Sequence, residues 1–472
     1  MSPPYRERED FQVHENDTLS GKSCKYLVQN VMGEGSFGKV ACCVKLDTME
    51  NVAVKIVKKH LTRAGKKEAS AFKHICILDL NKSNLVTFLE SFMHKGHMCL
   101  VLEILDTTLH NLMSERGRRP LCLSEIRVIS QQMLVALGAL GSIGLMHADI
   151  KPDNVMLVNH QLQPFRVKLI DFGSSTPVSR VKCGTTIQTL GYRAPEVILG
   201  LPLDEAVDMW SLGCVLAFLY LSKHLYPIRC EYDVMRVIVQ MQGQPGDRLL
   251  DAGVHTKIFF NKNKDSTKQA WRLNTGSEYV LATGEKTRQS RTSFNKYTCM
   301  GDMTKDHEKP KTDGEHEDTR AFFSLLKWML RLDPATRIGP AKALRHRFIT
   351  MTHFPRDADP DPYVVSSRVN MTVLPPRDSP VEIYGCVGPC SSEGSHHGAA
   401  SSSSRASAAS ADGTTTGKNA GPVPARPNEA CGSDECTTCF VTVRSRRTAM
   451  LQRNRGFFLM MATCCCSVDV KE

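Results

Sequence analysis

Apolar positions change their period along this chain, and the change divides it. Between residues 26 and 105 the apolar runs are short: Tyr26 to Met32, Lys39 to Lys45, Val52-Ala53-Val54-Lys55-Ile56-Val57, and Cys99 to Leu105. Runs of that length, interrupted by glycines and polar residues, predict strands. From Ile126 to Ile143 the period lengthens, with Ile129, Met133, Leu134, Leu137 and Leu140 recurring at helical spacing. Asp208 to Gly213 opens a second apolar helix. Beyond about Asp357 the pattern fades into Pro-rich segments and then Ser391 to Lys418, dominated by Ser, Ala, Gly and Thr. Such a composition buries too little apolar surface to offset the entropy of ordering. The expectation is one α+β domain over residues 26–354, with an extension (1–25) before it and an unpacked tail (355–472) after it.

Chemistry concentrates in two blocks, His147-Ala148-Asp149-Ile150-Lys151-Pro152-Asp153-Asn154 and, sixteen residues on, Asp171-Phe172-Gly173. Phosphoryl transfer needs a carboxylate beside the attacking hydroxyl and oxygen ligands that hold Mg2+ against nucleotide phosphates. Asp149 suits the first role, and Asn154 and Asp171 suit the second, because Mg2+ is a hard cation that seeks oxygen. Lys151 would neutralise the transferring phosphate. Upstream, Gly33-Glu34-Gly35-Ser36-Phe37-Gly38-Lys39-Val40 joins two predicted strands, and its glycines would let backbone amides approach phosphates. Lys55, inside an apolar strand, would reach the α- and β-phosphates, and Glu68 on a following helix is its expected carboxylate partner. Downstream, Glu196 in Ala194-Pro195-Glu196 is expected to form a buried clamp with Arg337.

The ordered set resembles a eukaryotic protein kinase over residues 26 to about 354, and Lys151, two places after Asp149, resembles the serine/threonine type. His-Ala-Asp at 147–149, the run Arg166 to Ser175 and the run Tyr192 to Pro202 resemble the homeodomain-interacting protein kinases. The resemblance implies a two-lobed fold with a β-rich lobe over residues 26–105 and a helical lobe over 106–354. It also implies a large-lobe insert over about 225–319, of which Asn261 to Arg320 is turn-rich and expected at the surface. ATP and Mg2+ are the implied cofactors. Leu102 would back the adenine pocket, the backbone of the linker Glu103 to Leu105 would hydrogen-bond the base, Val40 and Ala53 would cover one ring face, and Leu157 the other. Three residues depart from the wider pattern: Ala148 replaces an arginine that reads activating phosphate, Thr186 replaces the family's tyrosine, and Leu190 replaces an arginine beside the acceptor site. Thr189 keeps a hydroxyl that would contact Asp149. The departures at Thr186 and Leu190 keep open a rival reading, a scaffold that binds partners without transferring phosphate.

The net charge of +11 belongs to the first three-quarters of the chain, since residues 353–472 hold 12 basic and 12 acidic side chains. That excess would draw nucleotide and acidic peptide, or equally is a solvated basic surface, and no motif points to direct nucleic-acid binding. Eighteen cysteines without a signal peptide or apolar span imply a reducing compartment, nucleus or cytoplasm. The expected partners are protein substrates, among them transcription factors or co-regulators. Arg444 to Arg455, an apolar patch at 456–461 and Cys464-Cys465-Cys466 admit three readings: an unstructured end with no selected role, which is the simplest, a membrane contact through acylated thiols, or a nuclear import signal. Cys431, Cys436 and Cys439 are three thiols short of a fourth zinc ligand.

Overall fold

The computed structural model describes residues 12–263, 270–285, 297–306, 312–354 and 361–373. Six antiparallel strands form the first layer in the order β1-β2-β3-β4-β6-β5: β1 (Thr18–Ser20), β2 (Lys25–Glu34), β3 (Gly38–Lys45), β4 (Glu50–Val57), β5 (Phe88–His94) and β6 (His97–Glu103). Period-2 alternation divides its residues between two faces. Ala41, Cys43, Val52, Val54, Ile56, Cys99 and Val101 pack with Tyr26, Val28 and Phe92 on one face. Val40, Lys55 and Leu100 stand opposite one another in register, as do Cys42, Ala53 and Leu102, and these lie on the other face. One helix, α1 (Thr62–Ile75), packs against β6 and residues 172–174.

The sheet starts earlier than expected. Residues 12–25 are not a loose extension, because β1 pairs with β2 and Val13 and Leu19 are buried in the sheet's core.

The helical layer is built on α2 (Leu109–Glu115), α3 (Leu123–Ser142), α4 (Pro195–Leu199) and α5 (Ala206–Leu221). Every residue of α5 from Val207 to Leu221 is buried, as an apolar helix without a polar face must be. Between α3 and α4 run β7 (Leu145–Met146), β8 (Val155–Asn159), β9 (Gln163–Leu169) and β10 (Thr176–Pro177), with β8 paired to β9 and β7 to β10. The insert contributes α6 (Glu231–Gln242), α7 (Asp247–Ala252), α8 (Thr256–Phe259), the hairpin β11 (Phe260–Lys262) and β12 (Trp271–Leu273), and α9 (Gly276–Thr283). Its polar stretch is not all surface. Trp271, Tyr279 and Met303 are buried, Tyr279 stacks on Tyr232 at 4.9 Å, and Trp271 Nε1 donates to Asp251 at 3.0 Å. Isolated aromatics anchor this region where periodicity is weak.

After α10 (Asp313–Met329), α11 (Pro340–Leu344) and α12 (Arg347–Thr350), the chain packs once more as α13 (Pro362–Met371). This corrects the boundary at 354. Asp361 caps the helix by accepting from Tyr363 N at 2.9 Å, with Pro362 at its first position, and Tyr363 Oη donates to buried Asp318 at 2.5 Å. The expected unpacked segment from 374 onward, with its cysteine and arginine clusters, lies outside the described residues. Among the described residues no helix is long and apolar enough to cross a membrane.

Candidate active site

The catalytic loop is held from below. Asp208, buried in the first turn of α5, accepts from His147 N at 2.7 Å and Ala148 N at 2.9 Å. Burial pushes its carboxyl up, opposed by the His147 ring and these two amides. Ala148 sits in the left-handed region (φ 65), where a side chain costs roughly 1–2 kcal/mol, so Asp208 fixes a turn the local sequence does not favour. His147 Nε2 meets Ile170 O at 2.9 Å, and Ile170 N donates to Asn154 O at 2.9 Å, so the loop carrying Asp149 and the loop carrying Asp171 are tied together.

Three groups surround the Asp149 carboxylate: Lys151 Nζ at 2.8 Å, Asn154 Nδ2 at 3.1 Å and Thr189 Oγ1 at 2.7 Å. Lys151 also reaches Thr189 Oγ1 at 3.2 Å. Burial alone would lower the Lys151 pKa, but Asp149 outweighs it and holds the ammonium above its ordinary value. The expected roles of Asp149, Lys151, Asn154 and Thr189 therefore meet at one point.

A second centre joins both lobes. Lys55 Nζ lies 2.8 and 2.9 Å from the two oxygens of Glu68, on α1, and 3.1 Å from Asp171 Oδ1. Burial works against all three charges, and the outcome differs for each. Lys55 ends above its ordinary range because two carboxylates face it. Asp171 ends below the usual range, held by Lys55, His147 and Gly173 N. Glu68, the most enclosed, ends above it, since burial and the Asp171 charge outweigh Lys55.

Over this centre the hairpin of β2 and β3 turns at Gly35 to Gly38, closed by Gly35 N to Gly38 O at 2.8 Å. A Cβ on Gly38 would lie 2.0 Å from Ile56 O, so packing demands glycine there. At Gly33 and Gly35 a Cβ would meet nothing within 4 Å, so the protein's own packing makes no such demand. Glu34 pairs weakly across the hairpin with Lys39 at 3.8 Å, and Ser36 and Phe37 are exposed at its tip.

One expectation about the adenine pocket needs correction. Leu157 is fully buried (0% exposed) in the helical core and presents no surface to a ligand. Met156, one residue earlier and therefore on the opposite face of β8, is the partly exposed side chain. The Glu103 carboxylate is bound by Lys168 Nζ at 2.5 Å and Thr87 N at 2.6 Å, and the Glu103 N–H donates to Thr87 O at 3.0 Å, so the contribution of this residue to a base is confined to its carbonyl. Val40, Ala53 and Leu102 share the Lys55 face of the sheet as expected, and Leu105 is buried just beyond β6.

A family model described as protein kinase domain matches residues 26–349. The chain belongs to the protein kinase family. Among its relatives, homeodomain-interacting protein kinase 1 of Rattus norvegicus is 43% identical over 351 residues, 73% of this chain and 29% of the relative. Homeodomain-interacting protein kinase 2 of Mus musculus is 42% identical over 388 residues, 80% of this chain and 32% of the relative. Homeodomain-interacting protein kinase 4 of Homo sapiens is 36% identical over 347 residues, 71% of this chain and 56% of the relative. The chain thus spans about a third to a half of the length of these relatives.

Protein kinases generally use ATP and Mg2+, and two features of this kinase domain fit them. Glycines 33 and 35 keep clear a space that packing would let a side chain fill, as a phosphate cradle requires. Among the described residues both hydrogen bonds to the Asp171 carboxylate fall on Oδ1, leaving Oδ2 of a side chain 31% exposed for a cation, with Asn154 carrying the other oxygen ligand. Bound Mg2+ would offset the negative charge of the phosphates.

Sequence reasoning missed Asp208, Gln188 and the Glu103–Lys168 pair. A buried acid opening an apolar helix was the available signal for Asp208. Gln188 gave none: buried at φ 67, it donates to Val207 O and Ser211 Oγ and accepts from Ala194 N, while Arg193 binds the carbonyls of Ile187 and Gln188 and the Glu231 carboxylate. The predicted clamp is present, with Arg337 forking onto Glu196 at 2.5 and 2.8 Å.

Proposed function

We propose that this chain transfers the γ-phosphoryl group of ATP to serine or threonine hydroxyls of protein substrates. The observation that carries the reading is the Asp149 carboxylate, oriented by Lys151, Asn154 and Thr189 next to the Lys55, Glu68 and Asp171 centre. As the acceptor oxygen bonds to the γ-phosphorus, Asp149 takes the hydroxyl proton and the bond from phosphorus to the bridging oxygen breaks, releasing ADP. Lys151 lies where it would balance charge on the transferring group. Lys55, fixed by Glu68, would hold the α- and β-phosphates.

Nuclear or cytoplasmic action on transcription regulators extends this reading. Its support is the name of the relatives, which describes them as interacting with homeodomain proteins. Membrane contact by the cysteine-rich terminus has only its sequence behind it.

Phosphate transfer from labelled ATP with Mg2+, to a generic basic protein and to the chain itself, tests the reading. Asp149→Asn should lower the rate roughly 100- to 10,000-fold while leaving ATP binding intact. A wild type that binds ATP yet labels nothing, with or without cell extract to supply a missing activator, would return the scaffold reading to first place.

A further inference from the structure

A cavity of about 240 Å³ opens beside the catalytic loop, lined by His110, Ser114, Arg118, Lys223, His224 and Tyr297 among others. Its place is fixed at two points. His110 Nδ1 lies 4.0 Å from Asp153, four residues along the loop from Asp149. His224 Nδ1 lies 3.2 Å from Tyr192 Oη, three residues along from Thr189, which itself touches Asp149.

The lining is cationic. Arg118 follows the turn that ends α2, in the left-handed region (φ 56), with its N–H held by Met113 O at 2.9 Å. Ser222, also in the lining, ends α5 in the same region (φ 54), and its hydroxyl, shielded from solvent, has no hydrogen-bond partner among the described residues. Non-glycine residues persist in this conformation only where their surroundings impose it, and such positions cluster at ligand sites. Next to Ser222, the Lys223 ammonium lies 4.9 Å from the Tyr297 ring centroid. His224 is held below the ordinary histidine range by burial, by His110 and by Arg118, against Asp153, while Lys223 and Arg118 are cationic at neutral pH by their ordinary chemistry.

We propose that this cavity is a substrate subsite for an anionic side chain, a phosphoserine or a carboxylate, two to five residues from the acceptor. The proposal rests on the phosphotransfer reading. The four-residue path from Asp149 to Asp153 spans at most roughly 14 Å, and an extended peptide covers about 3.3 Å per residue. A flanking side chain therefore reaches the cavity while the acceptor hydroxyl stays at Asp149. A lysine and an arginine lining one pocket suit a multidentate anion better than a neutral group.

The test is a set of peptides with one acceptor serine in an alanine background, carrying alanine, glutamate, phosphoserine or arginine at each position from two to five before and after it. kcat/KM is measured with the full chain, and binding of the same peptides by fluorescence anisotropy. At one position phosphoserine should exceed alanine roughly tenfold, with glutamate between them. If glutamate equals phosphoserine, the subsite reads plain acidity; if only phosphoserine gains, it reads a prior phosphorylation. The double variant R118E/K223E should turn the preference towards arginine at that same position, a gain that a misfolded protein cannot produce. A flat profile in the wild type, or a preference unchanged in R118E/K223E, overturns the proposal while leaving phosphotransfer standing. Charge-selective binding without any transfer would instead overturn the phosphotransfer reading and keep the anion site.

Discussion

Two ion-pair centres in this chain use the same groups for opposite ends. At Glu196 and Arg337 one carboxylate meets one guanidinium, both side chains at most 1% exposed, and the guanidinium also donates to Ala206 O and Arg331 O and lies over the Trp210 ring. Charge and hydrogen-bonding capacity are balanced within the protein. At Lys55 a single ammonium faces two carboxylates, Glu68 and Asp171, so the centre carries an excess negative charge where the cleft begins. A saturated pair holds a fold; an unsaturated one calls for a cation from outside. Around one lysine the two carboxylates are driven in opposite directions, Glu68 up by its burial and by the Asp171 charge, and Asp171 down because Lys55, His147 and Gly173 N outweigh its burial.

The largest expected effect comes from breaking the saturated pair. Arg337→Ala leaves Glu196 buried without a partner and should cost about 3–5 kcal/mol in denaturant unfolding, whereas the apolar double variant E196M/R337M should recover much of that. If R337A instead lowered the phosphotransfer rate of fully folded protein with stability unchanged, the distinction between the two centres would fail.

Asp318 offers a third, intermediate case. It is buried, bonded to Arg127, His353 and Tyr363, and burial's upward push on its carboxyl is outweighed by these three donors. Tyr363→Phe removes one of them and should cost about 1.5–3 kcal/mol. Because the folded Asp318 pKa lies below its unfolded value, the stability it contributes is present above about pH 5 and lost as pH falls through the lowered value. Y363F should move that loss to higher pH, which unfolding curves at several pH values would reveal.

The unsaturated centre should announce itself through pH dependence. Glu68 sits above the ordinary carboxylate range and Asp171 below it, so on acidification Glu68 protonates first and releases Lys55 while Asp171 remains ionised. Phosphotransfer should then fall about tenfold per pH unit below the raised Glu68 pKa. In Glu68→Gln that acid limb should vanish, leaving a lower and flatter profile. An unaltered limb in E68Q would assign it to another group.

How far the sequence reached follows from the kind of signal each residue carries. Lys55, Asp149, Asn154 and Asp171 were legible because phosphoryl chemistry restricts residue type and order together. Val40, Ala53 and Lys55 were legible as one face of a sheet because alternation assigns faces. Leu157 was misplaced by one residue on β8, and in a period-2 element a single step exchanges pocket for core. Glu103 looked like part of a linker, and no local pattern reveals that Lys168, 65 positions away, binds its carboxylate. The strand at Thr18–Ser20 and the helix at Pro362–Met371 escaped notice because each depends on a partner elsewhere in the fold: β2 for one, Asp318 and Ser124 for the other.

The smallest expected effect is the most informative about regulation. Thr185 and Thr186 sit where an activating phosphate would be sought, yet the segment after them is already fixed without one. Gln188 N donates to Ala148 O, its side chain spans Val207, Ser211 and Ala194, and Arg193 holds the carbonyls of residues 187 and 188. These contacts bring Thr189 to Asp149 at 2.7 Å. With Ala148 in place of an arginine, the catalytic loop has no cation at that position with which to read a phosphate. The double variant T185A/T186A should therefore keep phosphotransfer within about twofold of wild type, a change of less than roughly 0.5 kcal/mol in the barrier. Gln188→Ala, which removes the side-chain bonds rather than the hydroxyls, should lower it further. A loss of a hundredfold in T185A/T186A, restored by aspartate at either position, would mean that the Gln188 and Arg193 network is insufficient and that this segment waits for phosphate after all.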